Sequence, residues 1–194
     1  MKKITLFSPA LFFENNIWHT LDFGDFLHVF EKTSKSINLT NITAIKTPCN
    51  NKNILYKTFY ACKKDNPDIC GVSIEIEKHI PLFSGLSAAQ SQSDTFKQYL
   101  ENTTNIIQIP KQAIALFFPK NITLCEKPKN IFYQYPDLQH IENILQTENI
   151  NYSRRDDRTT YVIKNPQNIL KKTQTSLEKY GVFVFCSITG KYIK

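Results

Sequence analysis

The sequence predicts a mixed α+β fold, and three observations carry this prediction. Apolar and polar side chains alternate over residues 72–77, which is the period-two pattern of a half-buried strand. Apolar residues recur at helical spacing over residues 54–64, and a second helical segment follows the strand. With 41% hydrophobic and 12% aromatic residues the chain can bury a core, and no Pro/Gly-rich linker divides it. We therefore predict one domain over residues 1–194.

The first half of the chain contains four predicted strands and two predicted helices. The strands are residues 3–7, 26–31, 37–45 and 71–77. Asn53 is a suitable N-cap for the helix over 54–64, because its side-chain oxygen can accept a bond from a free N–H of the first turn. After the last strand, a small-residue segment over 84–89 leads into the second helix, which we expect over 87–100.

The second half carries weaker signals. Residues 114–118 and 122–125 are apolar runs that form either a buried strand pair or a helix end and a strand. Further elements expected here are strands over 159–163 and 182–186 and a helix from Asp137 to residue 147. Asn165 and Pro166 are predicted to open another helix, with proline at its first position, and Gly181 to close it as a left-handed cap.

The chain is basic, with 24 Lys and Arg against 17 Asp and Glu and a formal net charge of +7. The lysines form no basic block, but the three arginines lie together at Arg154, Arg155 and Arg158. A planar guanidinium can bind phosphate through two hydrogen bonds, so these arginines are candidates for substrate or anion binding. The alternative is that Asp156 and Asp157 neutralise them in a solvated turn.

Cysteine usage and hydropathy exclude several classes of protein. The five cysteines form no C-x-x-C pair and their number is odd, which argues against a disulfide framework and against a zinc site. We therefore assign no metal site and expect a cytoplasmic protein with reduced cysteines. No run of about 20 residues lacks charged and strongly polar side chains, so no membrane association is expected.

Four short segments stand in an informative order. They are Ser8-Pro9-Ala10, residues 20–27 (TLDFGDFL), residues 53–57 (NILYK) and the segment from Gly71 through Gly85-Leu86 to Ser91. In this order they resemble the opening Pro-Ala-Lys, the approach to the second strand, the Asn-Leu-Val-x-Lys helix start and the phosphate loop of GHMP kinases. Within that superfamily they are most similar to the 4-diphosphocytidyl-2-C-methyl-D-erythritol kinases of isoprenoid synthesis.

The resemblance covers residues 5–125 and implies a fold. That fold is the N-terminal domain of GHMP kinases, which is similar to the second domain of ribosomal protein S5. It is a mixed sheet with helices packed on one face. We expect this chain to have it in a shortened and degenerate form.

The resemblance also implies a loop whose backbone N–H groups hold the phosphates of ATP. The candidate cofactor-binding residues are accordingly Ser84, Gly85, Ser87 and Ser91. Where the family has several glycines, this loop keeps only Gly85, and larger side chains stand at the other positions. For Ser87, a plain helix N-cap is the alternative role.

Two charged positions of the resembled family carry uncharged residues here. Its lysine falls on Leu11, and its catalytic aspartate falls on Ala113. Asp94, just inside the loop helix, is the nearby carboxylate, with a solvated helix charge as its alternative role. We therefore assign no catalytic residue.

Trp18 and His19 resemble a Tyr-His pair that contacts substrate in the family. The alternative is a buried aromatic residue beside a histidine whose hydrogen bonds are satisfied. We keep both residues as candidates for substrate binding.

Together, these departures favour a non-catalytic binding or interaction protein of the pseudokinase type. Its partner would be a protein or a small nucleotide-like ligand, and no cofactor is expected. The first alternative is an ATP-dependent 4-diphosphocytidyl-2-C-methyl-D-erythritol kinase, which would need ATP and Mg²⁺. The second is a basic module that binds RNA or another polyanion, which the scattered lysines do not favour.

Overall fold

The computed structural model describes residues 3–82, 84–103, 106–119, 123–127, 130–134, 138–154, 160–169 and 171–192. Its elements are β1 (Lys3–Glu14), β2 (Ile17–Lys32), β3 (Ile37–Asn41), α1 (Ile54–Asp65), β4 (Gly71–Glu77), α2 (Ala88–Glu101), β5 (Ile106–Pro119), β6 (Thr123–Lys127), β7 (Asn130–Gln134), α3 (Leu138–Thr147), β8 (Tyr152–Arg154), β9 (Tyr161–Lys164), α4 (Lys171–Glu178) and β10 (Gly181–Tyr192). The mixed α+β class is confirmed.

The chain divides into two compact units, residues 1–110 with 189–194 and residues 111–188. The prediction of a single domain stays a prediction, because compactness does not report whether the units fold independently.

The first unit is a sheet with two helices on one face. Its strand order is β3-β4-β2, and β1 also pairs with β2. The pairs β1–β2 and β2–β4 are antiparallel, whereas β3 and β4 are parallel and joined by the α1 crossover. One core cluster contains side chains of three strands and both helices: Leu27, Val29, Ile37, Leu39, Leu55, Phe59, Val72, Ile74, Ile76 and Phe96. The predicted packing of helices on one face is therefore confirmed for this unit.

The long β1–β2 hairpin exceeds the predicted strands. Residues 15–16 are both asparagines with positive φ (50° and 59°), as a two-residue hairpin turn of the primed type requires. The register shifts between Pro9 and Leu11, so the proline lies at an irregularity where its missing N–H is tolerated. Gly24 lies opposite, where a Cβ atom would come within 2.2 Å of the Ser8 carbonyl oxygen.

The helix and strand on either side of residue 66 follow the prediction closely. The Asn53 side chain accepts a hydrogen bond from the Leu55 N–H at 2.9 Å and caps α1 as expected. β3 is shorter than the predicted 37–45. The Asn41 side chain bonds to the N–H and the carbonyl of Thr47 (3.1 and 2.8 Å), and this local amide bridge turns the chain out of the strand.

The second unit has the strand order β10-β5-β9-β8, with β6 and β7 paired in a separate hairpin. Residues 114–117 of β5 pair with 161–164 of β9, and β6, which contains residues 123–125 of the second predicted run, pairs with β7. The described parts of both apolar runs are therefore strands, but in the described residues they do not pair with each other; residue 122 lies outside the described residues. The core of this unit is formed by Ala115, Phe117, Ile141, Leu145, Ile150, Tyr161, Ile163, Ile169 and Leu177. The predicted cap Asp137 lies outside the described residues, and α3 ends at Thr147 as predicted.

The residues predicted as one helix between Asn165 and Gly181 form a 3₁₀ turn, which Pro166 opens as predicted, and a separate α-helix; the predicted cap at Gly181 is wrong. Asn165 has a left-handed backbone (φ 55°) and leads only into a 3₁₀ turn at Pro166–Asn168, while α4 begins at Lys171. Gly181 is the first residue of β10 and is not a left-handed cap. Glycine is needed there because a Cβ atom would lie 2.3 Å from the ring of Phe117.

Among the described residues, no helix is long and apolar enough to cross a membrane.

Candidate functional site

The loop between β4 and α2 carries three of the four candidate cofactor-binding residues, Ser84, Gly85 and Ser87, while Ser91 lies in the first turn of α2. Two of the loop residues have a left-handed backbone. Gly85 has φ of 74° and Ser87 has φ of 48°. In the described part of the chain, the other non-glycine residues with positive φ are all asparagines, which tolerate this conformation better than serine does. Ser87 therefore has a backbone conformation that is favourable for glycine and unfavourable for serine.

Ser87 occupies the N-cap position of α2 but does not cap it through its side chain. The helix begins at Ala88, and the Ser87 hydroxyl makes no capping hydrogen bond. The Ser87 carbonyl accepts the Ser91 N–H at 3.0 Å. The prediction of a plain N-cap is thus right for the position and wrong for the hydrogen bond, because side-chain capping goes with an extended backbone.

The middle of the loop is attached to β1. The Leu11 N–H donates to the Leu86 carbonyl at 3.0 Å. Leu11 and Leu86 are each 1% exposed, and Ser84 is also buried. The loop therefore packs Leu86 and Ser84 inward, whereas Leu82 earlier in the loop is exposed.

Ser91 joins α2 to β1. Its hydroxyl donates to the Pro9 carbonyl at 2.5 Å and accepts from the Ser8 hydroxyl at 3.0 Å, and both serines are buried. Donor and acceptor functions of the hydroxyl are thus used inside the fold. A phosphate oxygen, which needs a donor, could bond to this hydroxyl only if the bond to the Pro9 carbonyl were broken.

Leu11 and Ala113, which stand where the resembled kinases have a lysine and an aspartate, differ from each other in exposure. Leu11 lies in the interior of the first unit, and Ala113 is exposed on β5 in the second unit. The Asp94 carboxylate accepts from the Gln90 side-chain amide through both oxygens, at 2.9 and 2.7 Å. The Asp94 carboxylate, the one near the loop, is therefore hydrogen-bonded to Gln90, which lies one turn earlier on α2.

Asp25 on β2 organises the start of the loop. It is completely buried, and its Oδ2 atom accepts from Lys78 Nζ at 2.6 Å and from Gln92 Nε2 at 2.8 Å. Its Oδ1 atom accepts the N–H groups of His79 and Ile80, both at 2.8 Å. One carboxylate thus holds β2, the end of β4 and the first turns of α2 together.

Sequence analysis did not single out Asp25, although a signal was present. An aspartate within an apolar strand is costly unless it is paired, so it indicates a buried partner. Lys78 directly after the next strand is that partner, and its side chain is only 3% exposed. The sequence does not state which of the chain's many lysines approaches Asp25.

A second polar cluster lies on the sheet face opposite the helices. The Glu77 carboxylate bonds to the Nε2 atoms of His28 and His79, each at 2.9 Å. The Nδ1 atom of His28 shares a hydrogen bond with the Thr5 hydroxyl at 3.0 Å. The hydrogen bond from His28, followed by that from His79, lowers the pKa of Glu77 from its ordinary value.

Trp18 and His19 lie on β2 near the hairpin turn. His19 pairs with Phe12 and stacks on its ring at 4.9 Å, while Trp18 pairs with Phe13 at a ring distance of 5.1 Å. Leu11, whose N–H is bonded to the loop, pairs with Thr20 on β2. Trp18 and His19 directly precede Thr20, so they lie close to the contact between β1 and the loop. Their described contacts are aromatic, and their role in substrate binding stays a prediction.

The arginine cluster is described only in part. Arg154 donates to Glu142 Oε1 at 2.7 Å, and the Tyr161 hydroxyl donates to the same oxygen at 3.1 Å. Burial, followed by the Glu142 charge, raises the pKa of Tyr161. Arg155 and Arg158 lie outside the described residues, so anion binding by this cluster stays a prediction.

No protein-family model matches the chain, and no curated protein matches it. Its structure is similar to that of a 4-(cytidine 5'-diphospho)-2C-methyl-D-erythritol kinase, with a TM-score of 0.66 and 12% identity over 96% of this chain and 100% of that chain. It is also similar to homoserine kinase from Cytophaga hutchinsonii, with a TM-score of 0.69 and 12% identity over 97% and 96% of the two chains. A third similar structure is mevalonate pyrophosphate decarboxylase from Streptococcus pyogenes, with a TM-score of 0.60 and 10% identity over 100% and 98%.

The chain has a GHMP-kinase-like fold. At these identities the likeness concerns the fold alone, and the methylerythritol kinase is one of several enzyme types that share it. One of the three similar proteins is a decarboxylase, so the fold does not fix the reaction. Function has to be argued from the residues of the loop and its surroundings.

Proposed function

We propose that this chain is a degenerate GHMP-kinase-like protein that binds a partner or ligand without transferring phosphate. The observation that carries the proposal is the environment of Leu11. Where the resembled kinases have a lysine, this leucine is 1% exposed and its N–H is bonded to the loop. An apolar, water-free position of this kind suits a leucine and penalises an unpaired cation.

The contacts of the loop give further support. The Leu86 carbonyl and the Ser91 hydroxyl are both bonded to β1, and Ser84 is buried. A triphosphate needs N–H groups and hydroxyls that point outward from a glycine-lined loop. Because Ser84 and Ser91 are buried and the Ser91 hydroxyl donates to β1, this loop offers few donors to a phosphate, which argues against ATP. No catalytic step through ATP is assigned.

The expected loss of rate can be stated as a magnitude. General-base help is typically worth ~10²–10⁴ in rate, and a preorganised charge on the transferred group about 10² or more. These contributions do not simply add. A deficit of at least ~10⁴ is nevertheless expected, which corresponds to more than about 5 kcal/mol of barrier.

Two measurements on the purified protein test the proposal. Calorimetry with ATP and Mg²⁺ should detect no binding tighter than about 1 mM. A coupled ADP-release assay with 4-diphosphocytidyl-2-C-methyl-D-erythritol should detect no turnover. Turnover of ~1–100 s⁻¹, the ordinary range of kinases, that Asp94→Ala or Arg154→Ala abolishes would contradict the proposal.

The substitution Leu11→Lys tests the central observation directly. We expect it to lower the free energy of unfolding by about 3 kcal/mol or more, because it buries an unpaired ammonium group. It should also not create turnover. Leu11→Met is the matched control and should cost less than about 1.5 kcal/mol. A stable Leu11→Lys protein that hydrolyses or transfers the γ-phosphate would show that only the lysine was missing.

A kinase remains the second candidate, and one observation favours it. Gly85 keeps a left-handed backbone (φ 74°) three residues before α2, where a phosphate loop needs glycine. A positive result in the ADP-release assay would select this candidate.

A polyanion-binding module is the third candidate, and the observation that favours it is the net charge of +7. A rise in Tm on addition of heparin, abolished by added salt, would select it.

A further inference from the structure

Strand β1 of the first unit has one edge without a partner strand. Within the described residues it pairs with β2 alone, and residues 3–9 of β1 lie opposite residues 24–30 of β2 in an unbroken register. Lys3, Thr5 and Phe7 are all exposed, so the described part of the chain leaves this half of β1 open to solvent. The first half of β1 is therefore an open edge of the sheet.

The contacts at the end of this segment show which backbone groups point away from β2. Pro9 has no N–H, and its carbonyl accepts a hydrogen bond from the Ser91 hydroxyl of α2. The Ser8 carbonyl instead faces Gly24 on β2. Because successive residues of a strand direct their N–H and C=O groups to opposite edges, residues 3, 5 and 7 share the outward direction of Pro9. Their backbone donors and acceptors line the open edge.

The residues of this edge do little to keep other strands away. Natural edge strands are protected by charged side chains, prolines or bulges. Here Lys3 and Pro9 stand at the two ends, and the residues between them (ITLFS) carry no charge. They include the β-branched and aromatic side chains that favour strands. An uncharged open edge of this kind is suited to pair with a further strand.

The edge is complementary to itself on the sheet face opposite the helices. When a second copy lies antiparallel to β1 with the two-fold axis at Thr5, Thr5 faces the partner's Thr5 and Lys3 faces the partner's Phe7. Lys3 Nζ already lies 5.8 Å from the centroid of the Phe30 ring. The partner's Phe7 adds a second aromatic ring beside the same ammonium group. Threonine pairs stabilise neighbouring strands, and no like charges face each other.

The same register is complementary on the helix side of the sheet, where it places Ile4 opposite the partner's Leu6. Both side chains are only partly buried in the single chain, so pairing removes further apolar surface from water. An axis at Leu6 would instead place Lys3 opposite the partner's Pro9, which has no N–H to donate. An axis at Ile4 would leave Phe7 beyond the start of the partner's β1. The axis at Thr5 therefore uses the edge most fully.

We propose that the chain forms a two-fold symmetric dimer in which the β1 edges of two copies pair antiparallel about Thr5. The pairing joins the first-unit sheets of the two copies into one continuous sheet. The facing residues 3, 5 and 7 contribute about six main-chain hydrogen bonds. The interface does not use the β4–α2 loop, so it forms whether or not the chain binds ATP or transfers phosphate.

The test is sedimentation velocity of the full chain at concentrations from about 1 to about 500 µM. A salt concentration of about 0.3 M screens the repulsion between two copies that each carry a net charge of +7. We expect a monomer–dimer equilibrium with a Kd below about 100 µM. A monomer over the whole concentration range overturns the proposal.

Two substitutions at Thr5 separate the role of its backbone from that of its side chain. Thr5→Pro removes an N–H that points away from β2, so the β1–β2 hairpin keeps its hydrogen bonds while the dimer loses its central ones. It should raise the Kd about tenfold or more. Thr5→Val is the matched control, because it removes the same hydroxyl, which bonds to His28, and keeps the N–H. It should dimerise like the wild type, and equally tight dimers of both variants overturn the proposal.

Charge variants at Phe7 test the register without touching the core, because Phe7 is 39% exposed. Phe7→Lys places like charges opposite each other twice in the dimer and should raise the Kd about tenfold. Phe7→Glu places opposite charges there and should bind more tightly than Phe7→Lys. Adding Lys3→Glu to Phe7→Lys should restore the dimer. Equal Kd values for Phe7→Lys and Phe7→Glu, or no restoration by Lys3→Glu, overturn the proposal.

Discussion

At the scale of single residues, the β4–α2 loop contains a serine, Ser87, in the left-handed backbone conformation that is unfavourable for residues with a Cβ atom. Ser87 has φ of 48°, a conformation that costs a residue with a Cβ atom about 1–2 kcal/mol. Asparagine tolerates the same region better, and Asn102 adopts it (φ 54°) at the other end of the same helix. The two ends of α2 therefore provide a matched pair for measuring the strain.

We predict that Ser87→Gly raises the free energy of unfolding by about 0.5–1 kcal/mol, because the relief of strain exceeds the added entropy of the unfolded chain. Asn102→Gly should give a smaller gain or none. Urea unfolding at constant pH measures both changes. An equal effect of the two substitutions would mean that Ser87 is not strained beyond its asparagine counterpart.

Glu77 gives a prediction on pH. Its pKa is lowered in the folded state, first by the hydrogen bond from His28 and then by that from His79. The resulting stabilisation is present above the ordinary glutamate pKa of about 4.5 and is lost as the pH falls through the lower pKa of the folded state.

The free energy of unfolding of the wild type should therefore fall more steeply below about pH 5 than that of Glu77→Gln. Urea unfolding between pH 6 and pH 3 measures the difference. Glu75→Gln, which removes a carboxylate two residues earlier on the same strand, is the control. An equal flattening of the pH profile by both variants would show that the histidine hydrogen bonds are not its cause.

At the scale of secondary-structure elements, the buried pair of Asp25 and Lys78 connects β2, β4 and α2. Both side chains are almost fully buried, at 0% and 3% exposure. Removing one partner of such a pair leaves the other charged and unpaired, which typically costs 3–5 kcal/mol. The start of the loop depends on this pair because the same carboxylate holds the His79 and Ile80 N–H groups.

We predict that Asp25→Asn lowers the free energy of unfolding by about 3 kcal/mol. The double variant Asp25→Asn with Lys78→Met should lose less than the sum of its two single variants. Glu101→Gln is the surface control, because Glu101 and Lys97 form a solvated pair at 3.8 Å that is worth less than about 0.5 kcal/mol. A strictly additive double-mutant cycle would contradict the coupling.

At the scale of the whole molecule, β10 is shared by the two compact units. Residues 189–192 of this strand belong to the first unit and residues 181–188 to the second. A strand that contributes to both units links their unfolding, because neither can be lost without losing part of this strand. We therefore expect the two units to unfold together, and the single domain over residues 1–194 stays a prediction.

We predict a single calorimetric transition that moves as a whole when either core is damaged. Phe59→Ala in the first core and Leu177→Ala in the second remove fully buried side chains and should each cost about 2–5 kcal/mol. Hydrogen exchange should show that either substitution weakens the protection of β4 and of β9. Two separate transitions, each sensitive to only one substitution, would mean two domains.

Local patterns in the sequence by themselves determined the mixed α+β class and several elements of the first unit. The alternation over 72–77 is a property of neighbouring residues, and β4 forms as predicted. The Asn53 cap is equally local, since its bond to the Leu55 N–H needs only the next two residues. The order of the four GHMP-like segments also pointed to the fold that the similar structures share.

The tertiary structure alone decided the features that depend on distant residues. Gly181 is required by the approach of Phe117, far away in the sequence, and not by the helix end that the local pattern suggested. Whether Ser91 faces a ligand or the strand β1 depends on Ser8 and Pro9, more than eighty residues earlier. The choice of Lys78 as the partner of Asp25 is set in the same way, because packing selects one among many lysines and a local pattern carries no information about that choice.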